Sequence, residues 1–200
     1  MIVIIVNGLI EVVKNLKVDN ILISKQSEVT NEYTEFINIA KKKKTNIIIV
    51  KSGDRIEIDD ETYIEIIYPG DKLCFDDINN NSIVAKIVYK NFKMLFTGDI
   101  EKEAENLILD KYCQELKANL IKIPHHGSNT SSSEEFLKIV SPEVALIGVG
   151  EENNFGHPSS EVLLRLNKIK CKIYRTDLNG EITLKINKKG RILVNKIINN

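Results

Sequence analysis

The chain holds three histidines, and two of them are adjacent: His125 and His126 in IPHHGSNTSSSEEF, with His157 in NFGHPSSEVL. Asp99 closes the short run FTGD ahead of a helical stretch. Carboxylate and imidazole are donors suited to Zn²⁺ or Mn²⁺, and an aspartate can bridge two ions because both of its oxygens coordinate. A water on such an ion becomes a hydroxide near neutral pH. Each catalytic ion needs at least three protein ligands. Asp99, His157 and one of His125 and His126 are too few for two ions.

Each of these residues also has a plainer reading. Asp99, taken alone, is an N-cap for the helix that starts at Glu101. His125 and His126 read as packing or capping residues, although a Pro-His-His-Gly loop brings no evident gain in stability. His157, alone before Pro158, favours neither reading. Ser128, Ser131, Ser132, Ser133, Ser159 and Ser160 read as caps and loop residues, and Ser132 or Ser133 ahead of Glu135 resembles a capping box. No GxSxG elbow accompanies them, so no serine nucleophile is expected.

The elements that must position these residues follow from periodicity. Runs of β-branched residues alternate with helical segments, the pattern of a layered α/β protein. Strands are expected near 2 to 6, 20 to 24, 46 to 50, 54 to 58, 62 to 67, 83 to 89 and 92 to 97, the last two joined by a tight turn at Lys90-Asn91. Helices are expected near 9 to 17 and 31 to 43, the second ending on Lys41 to Lys44, where cations meet the negative end of the helix dipole. After TGD, Ile100, Ala104, Leu107 and Ile108 share one helical face. Strand 119 to 123, helix 133 to 140, strand 143 to 148, helix 159 to 168 and strand 171 to 175 follow, then a closing strand pair at 181 to 186 and 190 to 195. Asp99, the histidine pair and His157 then sit on loops leaving strand C-terminal ends, the edge where α/β sheets collect ligands.

Composition bounds the rest. Two hundred residues, 42% of them hydrophobic, with 28 basic and 28 acidic side chains, describe a globular chain and not a disordered or membrane-embedded one. One domain covering residues 1–200 is expected. Zero net charge argues against binding that relies on overall charge. The distribution is uneven: residues 54 to 77 carry nine acidic and two basic side chains, and residues 165 to 200 carry ten basic and two acidic. The second stretch reads as solvated faces or as a phosphate-facing surface. Cys74, Cys113 and Cys171 lack any CxxC spacing, so reduced thiols are expected and neither a disulfide framework nor a thiolate zinc site. The opening MIVIIV is too short for a signal sequence or a membrane span, and the chain as written is expected in the cytoplasm.

Four motifs in order, NNNSIVAKIVYKNFKMLFTGD, LKANLIKIPHHGSNTSSSEEFL, VALIGVGEENNFGHPSSEVLLRL and IYRTDLNGEITL, closely resemble the metallo-β-lactamase-like C-terminal domain of ComEC-type DNA-internalisation competence proteins. The resemblance implies an αββα sandwich with two Zn or Mn ions at one sheet edge. It implies Asp99 as the bridging metal ligand, His157 as a late metal ligand, and His125 and His126 as the catalytic pair facing the scissile group. Asn81, Ser82 and Ser128 would bind substrate or position it. Relatives act on phosphodiesters of the DNA strand that is not imported.

One departure matters. Relatives carry an HxHxDH signature before the first full helix, and here GLIEVVKNLKV is preceded by MIVIIVN, without His or Asp. The resemblance therefore implies a partial domain missing its N-terminal strands, an incomplete metal site and impaired hydrolysis. It also implies an exposed sheet edge open to self-association or to an upstream fragment. A non-catalytic module binding nucleic acid or protein is the alternative.

Overall fold

A computed structural model describes residues 2–25 and 30–197. The chain forms two compact units, Met1–Val50 and Lys51–Asn200. Among the described residues no helix is long and apolar enough to cross a membrane.

In the first unit, α1 (Ile2–Asn15) and α2 (Asn31–Lys42) accompany a parallel pair, β1 (Asn20–Ile23) and β2 (Asn46–Ile49). The strand expected at residues 2 to 6 is instead the opening of α1. A short apolar run fits either element, and the helix continues through Asn7 and Gly8, which read locally as a break. Ile10 and Val13 of α1 bury against Phe36 and Ala40 of α2. Thr30 caps α2, its hydroxyl accepting from the Tyr33 amide at 3.1 Å. Lys41 and Lys42 occupy the last turn of α2.

The second unit is built on a seven-stranded mixed sheet in the order β3-β4-β5-β6-β7-β8-β9. Its strands are β3 (Arg55–Asp59), β4 (Thr62–Tyr68), β5 (Val84–Tyr89), β6 (Phe92–Phe96), β7 (Leu120–Lys122), β8 (Val144–Ile147) and β9 (Lys172–Arg175). The first four pair antiparallel through successive connections. The β5–β6 turn is Lys90-Asn91, with Lys90 at φ 52°. From β6 onward the pairing is parallel, because α3 (Lys102–Tyr112), α4 (Glu134–Val140) and α5 (Ser160–Lys168) return the chain each time.

Alternation along the strands assigns the two faces. Leu95, Ile121 and Ala145 lie side by side in register and bury against the helices, where Ala104 and Ile108 of α3, Phe136, Leu137 and Val140 of α4, and Val162 and Leu166 of α5 complete the main core. Each large apolar side chain among them, fully removed from water, contributes roughly 1.5–3 kcal/mol. Phe92, Leu120 and Val144 point to the other face. There they meet Leu184, Ile186 and Ile192 of an antiparallel hairpin, β10 (Ile182–Ile186) and β11 (Ile192–Lys196). A short helix α6 (Thr176–Asn179) ends at Gly180, whose φ of 62° turns the chain into that hairpin. The architecture is mixed α/β, with helices on one sheet face and a hairpin on the other.

Candidate functional site

Parallel strands β6, β7 and β8 end on one edge of the sheet, and the loops that leave them carry Asp99, the histidine pair and His157. Hydrogen bonds tie the three loops together. The His125 amide donates to the Gly98 carbonyl at 3.3 Å, and the Ser159 amide donates to the Gly127 carbonyl at 2.9 Å. The Thr97 hydroxyl donates to the Lys122 carbonyl at 2.7 Å. Two glycines permit the close approach. A Cβ on Gly98 would lie 2.5 Å from the Cβ of Ser82, and one on Gly127 would lie 2.6 Å from the Cβ of Pro158.

The histidine loop is strained. His125 (φ 46°), His126 (φ 54°) and Gly127 (φ 82°) follow one another in the left-handed region. For a side chain other than glycine that conformation costs on the order of 1–3 kcal/mol, and it persists only where surrounding contacts over-determine it. Those contacts are present. Ser131 donates to the Pro124 and Ser128 carbonyls, at 3.1 and 3.0 Å. Ser128, buried, pairs its hydroxyl with that of Thr130 at 2.9 Å. The loop then enters α4, where the Ser133 hydroxyl accepts from the Phe136 amide.

Side chains are oriented just as specifically. His126 Nδ1 lies 2.6 Å from the Gly148 carbonyl at the end of β8. A carbonyl only accepts, so Nδ1 carries a proton, and in the neutral ring the lone pair lies on Nε2. That Nε2 points toward Asp99, 3.8 Å from its Oδ1. Donation from one ring nitrogen to a backbone carbonyl is how proteins orient an imidazole whose other nitrogen is a ligand. His125 Nδ1 lies 3.0 Å from Glu101 Oε1 but off the line of a hydrogen bond, leaving that buried nitrogen without a hydrogen-bond partner. The His125 ring meets His157 edge-on, centroids 5.9 Å apart, and Phe155 stacks on His157 at 5.9 Å and 18°. Burial lowers the His157 pKa, with the neighbouring His125 and His126 adding to the effect.

Asp99 and His126 are of donor types that divalent ions accept, but they are only two. The unpartnered His125 Nδ1 faces Glu101 and not Asp99. Among the described residues no group of three or more His, Cys, Asp or Glu side chains is placed to hold an ion. A closed coordination sphere is therefore not formed by this chain's described side chains.

The structure brings Asp99 to His126, and His125 to His157. Asp99 is not a cap: α3 begins after Glu101, and the Glu101 and Ala104 amides donate to the side-chain oxygen of Asn80, at 2.8 and 3.3 Å. Ser82 accepts from the Asp99 amide at 3.2 Å and so sets the turn that presents the carboxylate. Asn81 is buried, its amide donating to the Phe75 and Asp77 carbonyls at 2.6 and 2.9 Å. The expected capping box is completed differently. Ser133 is the N-cap, but its own amide, with that of Ser132, donates to the fully buried carboxylate of Glu105 on α3.

Glu101, Glu105, Asn80 and Lys122 escaped the reading of the sequence. Glu101 and Glu105 look like ordinary first-turn acids, and Asn80 stands within a run of asparagines. Lys122 lies inside a strand-like run; burial lowers its pKa while the nearby Asp99 raises it. The one available signal was the position of Glu101, two residues beyond Asp99. Part of the basic stretch is engaged within the protein: Arg165 donates to the Ser131 and Ser132 carbonyls, Arg175 pairs with Asp177 and Lys168 with Glu134.

No family model matches the chain. ComE operon protein 3 of Bacillus subtilis (strain 168) is 31% identical over 173 residues, covering 84% of this chain and 21% of that protein. Competence protein ComA of Neisseria gonorrhoeae is 36% identical over 126 residues, 63% of this chain and 18% of that protein. Recombination protein 2 of Haemophilus influenzae is 32% identical over 105 residues, 52% of this chain and 13% of that protein. The chain thus spans about a fifth or less of the length of these relatives. Sequence shared with these proteins across most of the chain makes it a member of the ComEC-type competence protein family.

Proposed function

We propose that the chain is the histidine-bearing part of a metallo-β-lactamase-like αββα domain that hydrolyses DNA phosphodiesters with Zn²⁺ or Mn²⁺ during DNA uptake. The observation that carries this reading is the Asp99–His126 pair, with His126 Nδ1 tied to Gly148 and Nε2 aimed across 3.8 Å at the carboxylate. Asp99 and His126 would hold the ion from one side, with His157 as a further ligand, and this set by itself leaves the shell incomplete. Such an ion, when bound, supplies Lewis acidity to a phosphodiester.

The chain's own groups serve the rest of the step. The carboxylate of Glu101 stands 3.0 Å from His125 Nδ1, beside the ring that would serve as the acid. In this reading His125 gives a proton to the leaving ester oxygen as the phosphorus–oxygen bond breaks, while a water attacks phosphorus from the opposite side and releases a proton to solvent, from which His125 is reprotonated. His126 is a ligand in this reading and not the acid.

The test is metal retention after dialysis against Zn²⁺ or Mn²⁺, with cleavage of a DNA strand measured in parallel. Retention that falls in both Asp99→Asn and His126→Asn supports the reading. Retention indifferent to both substitutions, with no metal-dependent cleavage, sinks it. The competing reading, a binding module without chemistry, draws on the basic C-terminal stretch, and the engagement of Arg165, Lys168 and Arg175 within the protein weakens it.

A further inference from the structure

Phe155 is 66% exposed, on the loop between β8 and α5. Its ring lies nearly parallel to His157 at 18°, and His157 in turn meets His125 edge-on. The three rings form a staircase that begins beside Glu101 and ends in solvent. One face of Phe155 rests on an imidazole.

The loop that carries the ring is braced. Asn153 donates from Nδ2 to the Gly150 and His157 carbonyls, at 3.0 and 2.9 Å, and its Oδ1 accepts from the His157 amide at 2.8 Å. Gly156, at φ 69°, makes the turn that lets Phe155 double back over His157. An aromatic residue kept in water on a hydrogen-bonded loop, in line with the candidate site, has the form of a stacking platform. The charge of the loop says which part of a nucleotide it would meet. Glu151 and Glu152 are exposed on the same loop and would repel a phosphate, so the contact is with a base.

We propose that Phe155 is a nucleobase-stacking site, which takes an unpaired base of a single nucleic-acid strand next to the phosphodiester facing Asp99 and His126. This rests on the phosphodiester reading above for the class of polymer, and adds that the strand must be single at this point, since a paired base has no free face to offer. Stacking of this kind is sequence-tolerant because every base presents a π-face.

The chain has no tryptophan, so Phe155→Trp places one fluorophore at the site. The full chain, as wild type, Phe155→Trp and Phe155→Ala, is titrated with oligothymidylate, oligouridylate and an abasic DNA strand, each of about 10 nucleotides. Both base-bearing strands are expected to quench the indole emission of the Phe155→Trp protein, since stacking reads the base and not the sugar, and the abasic strand to leave it unchanged. Phe155→Ala is expected to weaken oligothymidylate binding about 5- to 100-fold without changing the affinity for the abasic strand. The substituted side chain is mostly in water, so the variant keeps its core. Unquenched emission at saturating oligothymidylate, or Phe155→Ala binding as tightly as wild type, overturns the stacking site while leaving the phosphodiester reading in place. Failure of every strand to bind the wild-type chain overturns both.

Discussion

His126 presents Nε2 to Asp99 at 3.8 Å because its other nitrogen is held by the Gly148 carbonyl at 2.6 Å, so the end of one strand orients a histidine on the loop of the next toward an acid on a third. The pair is expected to dominate divalent-metal affinity. Asp99→Asn or His126→Ala should weaken Zn²⁺ binding at least about tenfold, given that even outer partners of metal ligands are worth about 10- to 100-fold. Isothermal titration of the chelator-treated chain checks this, and equal affinities across the three proteins would count against the pair.

His157 is expected to titrate below 6.5, since burial and then the nearby imidazoles disfavour its cation. The sign for stability follows. As pH falls below 6.5 the unfolded chain takes up this proton first, so the group's contribution to stability is lost as pH drops from 6.5 through the lower folded value. His125→Asn removes one of the two imidazoles and should move the His157 midpoint upward. Imidazole NMR signals followed through a pH titration of the metal-free protein give both midpoints.

Glu105 is fully buried, and desolvation raises its pKa against the lowering effects of Ser133, Ser132 and Arg165. An acid raised in this way makes the fold gain stability as pH falls from above its folded pKa toward 4.5, the reverse of the usual surface carboxylate. Glu105→Gln should flatten that part of the pH–stability curve. Glu105→Ala leaves two amides without their acceptor and should cost about 3 kcal/mol. Urea denaturation across acidic pH separates the two effects.

Gly98→Ala would set a Cβ 2.5 Å from the Cβ of Ser82 and force a side chain into φ 55°. A loss of about 2–4 kcal/mol is expected from overpacking and backbone strain together. Ser82→Gly in the same chain removes the collision but not the strain, so about half the loss should return. A double-mutant cycle measured by denaturation reads the coupling, and strict additivity would contradict the contact.

Asn80 acts as the cap of α3 from a distant segment, its Oδ1 accepting from the Glu101 and Ala104 amides. Asn80→Ala should cost roughly 1–2 kcal/mol, the range of lost N-caps, while Asp99→Ala should not show a capping loss. Thermal melts of the two variants make the comparison.

Most of the second unit was legible in the sequence. Its strand and helix order follows from periods of two and 3.6, and the parallel half of the sheet follows from strands alternating with helices. That order alone puts Asp99, His125, His126 and His157 on loops at one edge. The first residues were misread because a six-residue apolar run satisfies both periods, and only continuity with α1 chose the helix. Which histidine nitrogen faces Asp99, which residue caps α3, and which carboxylate receives the Ser132 and Ser133 amides were decided by tertiary structure alone. These are contacts between segments far apart in the chain, and a side chain's partner across such a gap leaves no local period, spacing or propensity to read.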